Sequence, residues 1–292
     1  MGCGIKLFIW NRKFCGIGNP DLALRVGHDV SNFEEGLRKV ITAILNIYRR
    51  PELLESQITA LQNQTVPPKH IWIWQNKAPE KINIRTPKRC VHVQSNFNFL
   101  YHGRFALALL AQRHSEYVAI FDDDIMPGSR WLENCLTSME EKPGLYVATG
   151  NRLIPKEFEG QRRPWFGWRN PNEEIQEVDY GGHCWFLKTA WLRAFWGEEP
   201  VSLENAEDIQ LSFALQKHLG LHTYVPPHPE GCLDLWSNTV GWKYGKSKVA
   251  SHKKPPTGIA KKAWFHQRRQ IEQDCIKRGW KPMYMRGGIF GD

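Results

Sequence analysis

From residue 40 onward the chain alternates between short apolar runs and longer polar stretches whose apolar positions recur three and four apart. Val40-Ile41-Thr42-Ala43-Ile44-Leu45 is β-branched and almost wholly apolar, which predicts a buried strand. A turn over 46–50 leads to Pro51, suited to the first turn of a helix because its missing N–H would go unpaired there anyway. Leu54, Ile58 and Leu61 supply that helix's apolar face. The alternation repeats with strands at 71–74 and 91–93, a helix over 103–113 and a strand over 117–121. Next comes a helix that Ser129 can cap, carrying Trp131, Leu132 and Leu136, and then a strand at 146–148. Strands alternating with helices predict an α/β fold: a mainly parallel central sheet with helices on both faces. Residues 155–180 read as a long loop or lid, 206–218 as an amphipathic helix stopped by Gly220, and 260–277 as one further helix. Three segments follow: an extension at 1–37 without clear periodicity, the α/β domain at 38–230, and a C-terminal segment at 231–292.

Charge separates that last segment from the rest. The chain carries +9 overall, and residues 243–292 alone hold 13 Lys/Arg against Glu272, Asp274 and Asp292. A basic extension of this kind implies an anionic partner: a nucleotide diphosphate, an anionic membrane surface touched peripherally, or nucleic acid. The 13 Trp, 14 Phe and 8 Tyr suit stacking on bases and sugars, although most such rings fill cores. Seven cysteines without a CxxC pair argue against a disulfide framework or zinc site and for a reducing compartment. No apolar run approaches the roughly 18 residues of a membrane span, so a soluble, cytoplasmic protein is expected.

Asp122-Asp123-Asp124 directly follows the 117–121 strand. Adjacent carboxylates repel, and a cation would offset them; hard oxygen ligands suit Mn²⁺ or Mg²⁺. The alternative is a solvated acidic turn. Glu207-Asp208 opens the late helix, where acids are favoured by the helix dipole and Asn205-x-x-Asp208 imitates a capping box. Read chemically, a carboxylate there could take a proton from an attacking hydroxyl.

The strand followed by Asp122-Asp123-Asp124-Ile125-Met126-Pro127, after a first strand and a Tyr48-Arg49-Arg50-Pro51 turn, resembles GT-A fold (Rossmann-like) glycosyltransferases. The segment from Asn98 to Phe105 is similar to exostosin-like enzymes, and the leading strand and turn to the large inverting family two. The resemblance implies a nucleotide grip at Leu45, Ile47, Tyr48, Arg49 and Arg50. It implies a polar group for uracil at Gln75 or Asn76, where the family more often has Asp, and a diphosphate-binding Arg104. Asp122 and Asp123 would face the donor, with Asp124 and Asp122 on the metal. Gly181 and Gly182 match the family's Gly-rich strand beside the donor sugar, with a β-bulge as the alternative. Trp185 and Glu207 would face the acceptor. Asp208 matches the base of inverting members, a position that in exostosin-like retaining enzymes binds or orients substrate. A C-terminal histidine, His252 in preference to His228, would complete the metal site.

The expected reaction is therefore metal-dependent transfer of a sugar from a UDP-sugar to a glycan hydroxyl, with inversion and Asp208 as base. Another divalent-metal nucleotide enzyme is the first alternative, although a pyrophosphorylase would show a Gly-rich loop after its first strand and 46–50 has none. A non-enzymatic nucleic-acid binder using the basic tail is the second, and no nucleic acid is the expectation.

Overall fold

The computed structural model describes residues 40–287 except 86, 156–157, 159–160, 169, 241–242, 244–247, 249 and 251–252. The expected extension at 1–37 and the expected metal ligand His252 lie outside the described residues.

Strand β1 (Ile41–Ile47) forms where the first apolar run predicts it, and it is buried on both faces. On one side Ile41, Ala43, Leu45 and Ile47 pack against helices α1 (Leu54–Gln62) and α3 (Trp131–Glu141). On the other, Ile44 meets α2 (Gly103–Leu110), α4 (Leu192–Gly197) and α5 (Glu207–Leu219). Helices thus cover both faces of the sheet. Burial on both faces is why the run is continuously apolar rather than alternating.

The remaining strands are β2 (His70–Gln75), β3 (Cys90–Gln94), β4 (Tyr117–Phe121), β5 (Gly144–Asn151), β6 (Trp165–Gly167), β7 (Gln176–Val178), β8 (Tyr180–Lys188) and β9 (His222–Val225). They form one sheet in the order β3-β2-β1-β4-β8-β5-β9-β7, with β6 added beside β5. Pairing is parallel across β3-β2-β1-β4, as alternating strands and helices predict. Beyond β4 the sheet turns mixed: β8 runs antiparallel to both β4 and β5, while β9 is parallel to β5. The stretch expected to be a loop at 155–180 contains β6 and β7, each only three residues long.

The basic segment supplies α6 (Lys261–Lys277). Its Ile271 and Cys275, with Trp280, pack on Ile209 and Phe213 of α5 in a third apolar cluster. Ser129 does not cap α3; Arg130 holds the cap position and makes no side-chain cap bond. All five described cysteines are free thiols. Among the described residues no helix is long and apolar enough to cross a membrane.

Candidate active site

Strands β1, β2 and β4 are parallel, so the residues that follow them emerge along one edge of the sheet. Because β8 is antiparallel to β4, with Cys184 opposite Phe121, the start of β8 arrives at the same edge. The first turns of α2 and α5 and the C-terminal residues Ala250, Pro256 and Trp264 complete a cavity of about 490 Å³ there. Open α/β sheets bind ligands outside the carboxyl ends of their strands.

Asp122, Asp123 and Asp124 line this cavity, but two arginines already share their charge. Arg50 pairs with Asp123 and, at 2.8 Å, with Asp124; Arg104 pairs with Asp122. Repulsion among the carboxylates therefore does not by itself demand a cation. Their ionisation diverges accordingly. Burial works against the charge on Asp122, yet Arg104 and His183 outweigh it and hold that carboxyl low. Burial lifts Asp123, with Asp124 and Asp122 adding to it against the pull of Arg50.

The case for a metal rests instead on geometry. One ligand atom each from Asp122, Asp124 and His183 lie within 4.8 Å of one another. Asp124 Oδ1 is buried and has no hydrogen-bond partner, an orphaned acceptor in the cluster. His183 is a non-glycine residue at φ 70°, in the left-handed region. It sits in a β-bulge: between the pairs Val147–Trp185 and Thr149–Gly182, two β8 residues face one of β5. Left-handed backbone at a non-glycine costs roughly 1–3 kcal/mol and collects at functional sites. The bulge brings His183 Nδ1 to 3.6 Å from Asp122 Oδ2. Burial disfavours an imidazolium there, but Asp122 and Asp124 outweigh it and draw the His183 pKa up, so the spot favours positive charge. Two carboxylates and an imidazole fit Mn²⁺ well and Mg²⁺ less well, since imidazole is a softer donor than Mg²⁺ prefers. His183 was not among the sequence-derived ligands; the only signal for it is a histidine directly after Gly181-Gly182.

Arg104 links the triplet to α5. Its guanidinium is buried, donates to Asp122 and, at 2.8 Å, to Glu207, and lies 4.6 Å above the Trp185 ring. Burial and neighbouring Asp208 raise the Glu207 carboxyl despite Arg104. Asp208 faces the cavity, gripped on both oxygens by Arg268 of α6 at 3.0 and 2.7 Å. The expected capping box is absent: Asn205 Oδ1 accepts from the N–H of Ala206, and its amide donates to Trp264 O. Ala206, at φ 60°, instead turns the chain sharply into α5. Arg268, contributed by the basic segment, is the site residue that motif spacing gave no means of finding.

Some residues expected at the donor lie away from this cavity or are committed to other partners. Leu45 and Ile47 point into the core beneath α1 and α3, and Asn46 between them lines the cavity, as the two-residue period of a strand requires. Tyr48, Arg49 and Arg50 do line it; Arg49 also donates to Lys254 O at 2.8 Å, tying the turn to the C-terminal segment. Gln75 is turned away, donating to Ile82 O and meeting His92 Nε2. Asn76 borders the cavity, but its amide is committed to Asn98 Oδ1, Leu100 O and the N–H of Phe99, so it shapes that loop and has no donor left for a base. Trp185 borders the cavity but is only 2% exposed, donates to Gly181 O and is covered by Arg104, so it serves mainly as packing. Glu207 is likewise buried on Arg104.

His228 is a structural residue. It is fully buried, with Nδ1 2.8 Å from Pro226 O and Nε2 3.0 Å from Ser237 Oγ. Burial depresses its pKa from 6.5 to about 4, so the unfolded chain takes up the proton first. Stability tied to this residue is complete above pH 6.5 and is lost as pH falls towards 4, by up to roughly 3 kcal/mol. Urea unfolding at pH 7.5 and 4.5 should show a smaller acid-induced loss in His228→Gln than in the wild type. Equal losses would mean that another group carries the effect.

Gly181 and Gly182 have different reasons to lack a side chain. A Cβ on Gly181 would stand 2.3 Å from Thr149 O, whereas one on Gly182 would meet only Trp185 Cζ2 at 3.6 Å and Asp208 Oδ2 at 3.8 Å. Gly181→Ala should therefore lower stability by about 1–3 kcal/mol, the cost of overpacking. Gly182→Ala should fold normally but weaken binding of any ligand in the cavity, because its methyl enters the cavity beside Asp208. Denaturation midpoints and UDP binding separate the two, and wild-type UDP affinity in Gly182→Ala would remove Gly182 from the site.

No protein family profile matches the chain, and no curated protein matches it. Among solved structures, the crystal structure of S. aureus TarS is similar in part: 13% identical, with a TM-score of 0.41, over 65% of this chain and 37% of that one. The chain thus spans little more than a third of TarS, and a likeness of that size identifies neither a family nor a chemistry.

Proposed function

We propose that this protein is a divalent-cation-dependent glycosyltransferase that moves a sugar from a UDP-sugar to a carbohydrate hydroxyl. One observation carries the reading: Asp122, Asp124 and His183 converge at the carboxyl end of β4, with Asp124 Oδ1 buried and unpartnered, on the wall of a cavity also lined by Arg49 and Arg50. Asp122, Asp124 and His183 would hold Mn²⁺ or Mg²⁺, which when bound would neutralise the donor's diphosphate. Arg50, already shared between two carboxylates, is placed to turn to a phosphate once a cation takes over its role. Arg104 keeps Asp122 ionised and fixes its orientation.

In the transfer, a bond forms between the acceptor oxygen and the anomeric carbon as the bond from that carbon to the UDP phosphate oxygen breaks. The acceptor's proton passes to Asp208. Its Oδ1 accepts from the Ile209 N–H and from Arg268, and its Oδ2 from Arg268, so Oδ2 is the less engaged oxygen. Arg268 has to yield that oxygen before Asp208 can act. A single base supports inversion.

The test is a thermal-shift and calorimetric panel of UDP-sugars with Mn²⁺, repeated with excess EDTA. Cation-dependent binding of UDP and of at least one UDP-sugar is expected. Binding and transfer undiminished by EDTA would refute the cation's part, and no response to any nucleotide sugar would refute the reading as a whole.

A further inference from the structure

A second and larger cavity, of about 930 Å³, adjoins the first and shares with it Thr149, Asn151, Tyr180, His183, Phe265 and Arg268. It lies at the upper end of the roughly 300–1,000 Å³ typical of small-molecule sites, so it has room for more than one sugar-sized ring. Its charged groups are largely spent. Glu272 takes parallel bonds from Arg163 at 2.7 Å each, Arg268 grips Asp208, Lys277 pairs with Asp274 at 2.9 Å, and Arg269 is engaged as well. Arg162, on the exposed rim, lies over the Trp165 ring at 5.6 Å. The polar groups still unspent are neutral ones. The side-chain amides of Asn151, Gln161 and Gln273 line the cavity and make no hydrogen bond among the described residues. The Tyr180 hydroxyl accepts from Arg163 at 3.2 Å and keeps its own proton to donate. Phe265, 43% exposed, lines both cavities and so marks their junction. Its ring stands edge-on to the buried Trp264 at 4.9 Å, and Trp264 O accepts from the Asn205 amide, so the packing of α6 fixes it in place.

Cations already paired with carboxylates do not call for an anionic ligand. Amides both donate and accept, as hydroxyls do, and several amides spread along one groove suit a ligand with hydroxyls at many points. An exposed aromatic ring among them suits the apolar C–H face of a pyranose. We infer that this groove binds an uncharged oligosaccharide, with Phe265 as the stacking platform where the sugar chain passes from one cavity to the other. The inference rests on the glycosyltransferase reading only for the use made of that saccharide; its ligand class comes from the groove alone. A nucleic acid also offers rings, but its phosphates would meet cations committed elsewhere, whereas backbone binding depends on free ones.

The probes are chitotetraose, cellotetraose and maltotetraose as neutral chains, tetragalacturonate as an acidic one, and a single-stranded oligonucleotide. Each is titrated calorimetrically into the full chain, with and without UDP and Mn²⁺, at low and at raised NaCl. At least one neutral tetrasaccharide is expected to bind more tightly than tetragalacturonate and the oligonucleotide, with an affinity that salt leaves unchanged. Phe265→Ala should lower that affinity about tenfold, the scale of one lost stacking contact. Gln161→Ala combined with Gln273→Ala, both at exposed positions, should also lower it about tenfold. UDP binding should be unchanged in this double variant, because neither glutamine lines the first cavity. No binding of any neutral chain, tighter binding of either charged probe, or wild-type affinity in Phe265→Ala would each overturn the inference. Failure of UDP to bind while a neutral tetrasaccharide still does would instead count against the glycosyltransferase reading and leave the groove's ligand class standing.

Discussion

Asp124→Asn is expected to abolish cation-supported UDP binding and to lower turnover by about 10²–10³-fold, the scale of losing one preorganised electrostatic contact. The substitution keeps the shape of the side chain and removes its charge. Asp124 has one oxygen on Arg50 at 2.8 Å and the other buried without a partner, so the amide has one bond to lose and nothing to gain. Arg50 retains Asp123, and Arg104 retains Asp122, so the loop's other ion pairs persist and the fold should be little affected. Mn²⁺ titration by calorimetry reads the cation directly, independent of any assay for transfer. His183→Ala in parallel should weaken Mn²⁺ without removing it, since two carboxylates remain. If Asp124→Asn binds Mn²⁺ and UDP like the wild type, the cluster is an arginine-neutralised acidic turn and not a metal site.

That alternative is instructive about what the chain discloses before folding. The triplet's position after an apolar strand is legible from sequence, because a buried parallel strand declares itself as a short β-branched run. For the same reason β1, β2 and β4 are legible, while the half-exposed edge strand β3 shows itself only through Val91 and Val93. The counter-charges are not: Arg50 and Arg104 reach the carboxylates across 73 and 18 residues, a matter of which strand ends meet. Leu45 and Ile47 illustrate a subtler limit. A family likeness assigns a nucleotide grip to the whole strand end, whereas the two-residue period sends only Asn46 and the turn to the cavity.

His183 depends on a register offset between β5 and β8, which no local pattern encodes. β6 and β7 are too short to show alternation, so the stretch that holds them reads as loop. Arg268 looks in sequence like one more cation on a basic helix; only the packing of Ile271 and Cys275 on α5 turns it toward Asp208. The motif thus points to the cavity at the end of β4, while its second wall comes from tertiary packing.

Arg104→Met should cost more stability than any other single change in the site. Methionine replaces the aliphatic stem that lies against Trp185 and Phe105 but leaves Asp122 and Glu207 without their shared cation. Both carboxylates are close to buried, and removing one partner from a buried pair costs about 3–5 kcal/mol because the remaining charge has nothing to answer it. For a chain of this size the melting temperature should fall by roughly 6–20 °C. Glu207 is already raised by burial, so part of the penalty is avoided when it takes up a proton; the loss should accordingly be smaller at pH 5 than at pH 8. Adding Glu207→Gln removes one of the two stranded charges and should restore a substantial part of the stability, a positive coupling in the double-mutant cycle. Arg104→Lys should recover less than charge alone suggests, since a single ammonium cannot reproduce two planar donors aimed at two carboxylates while stacked on an indole. A wild-type melting temperature in Arg104→Met would show that Asp122 and Glu207 find other partners and that Arg104 is not what ties the triplet to α5.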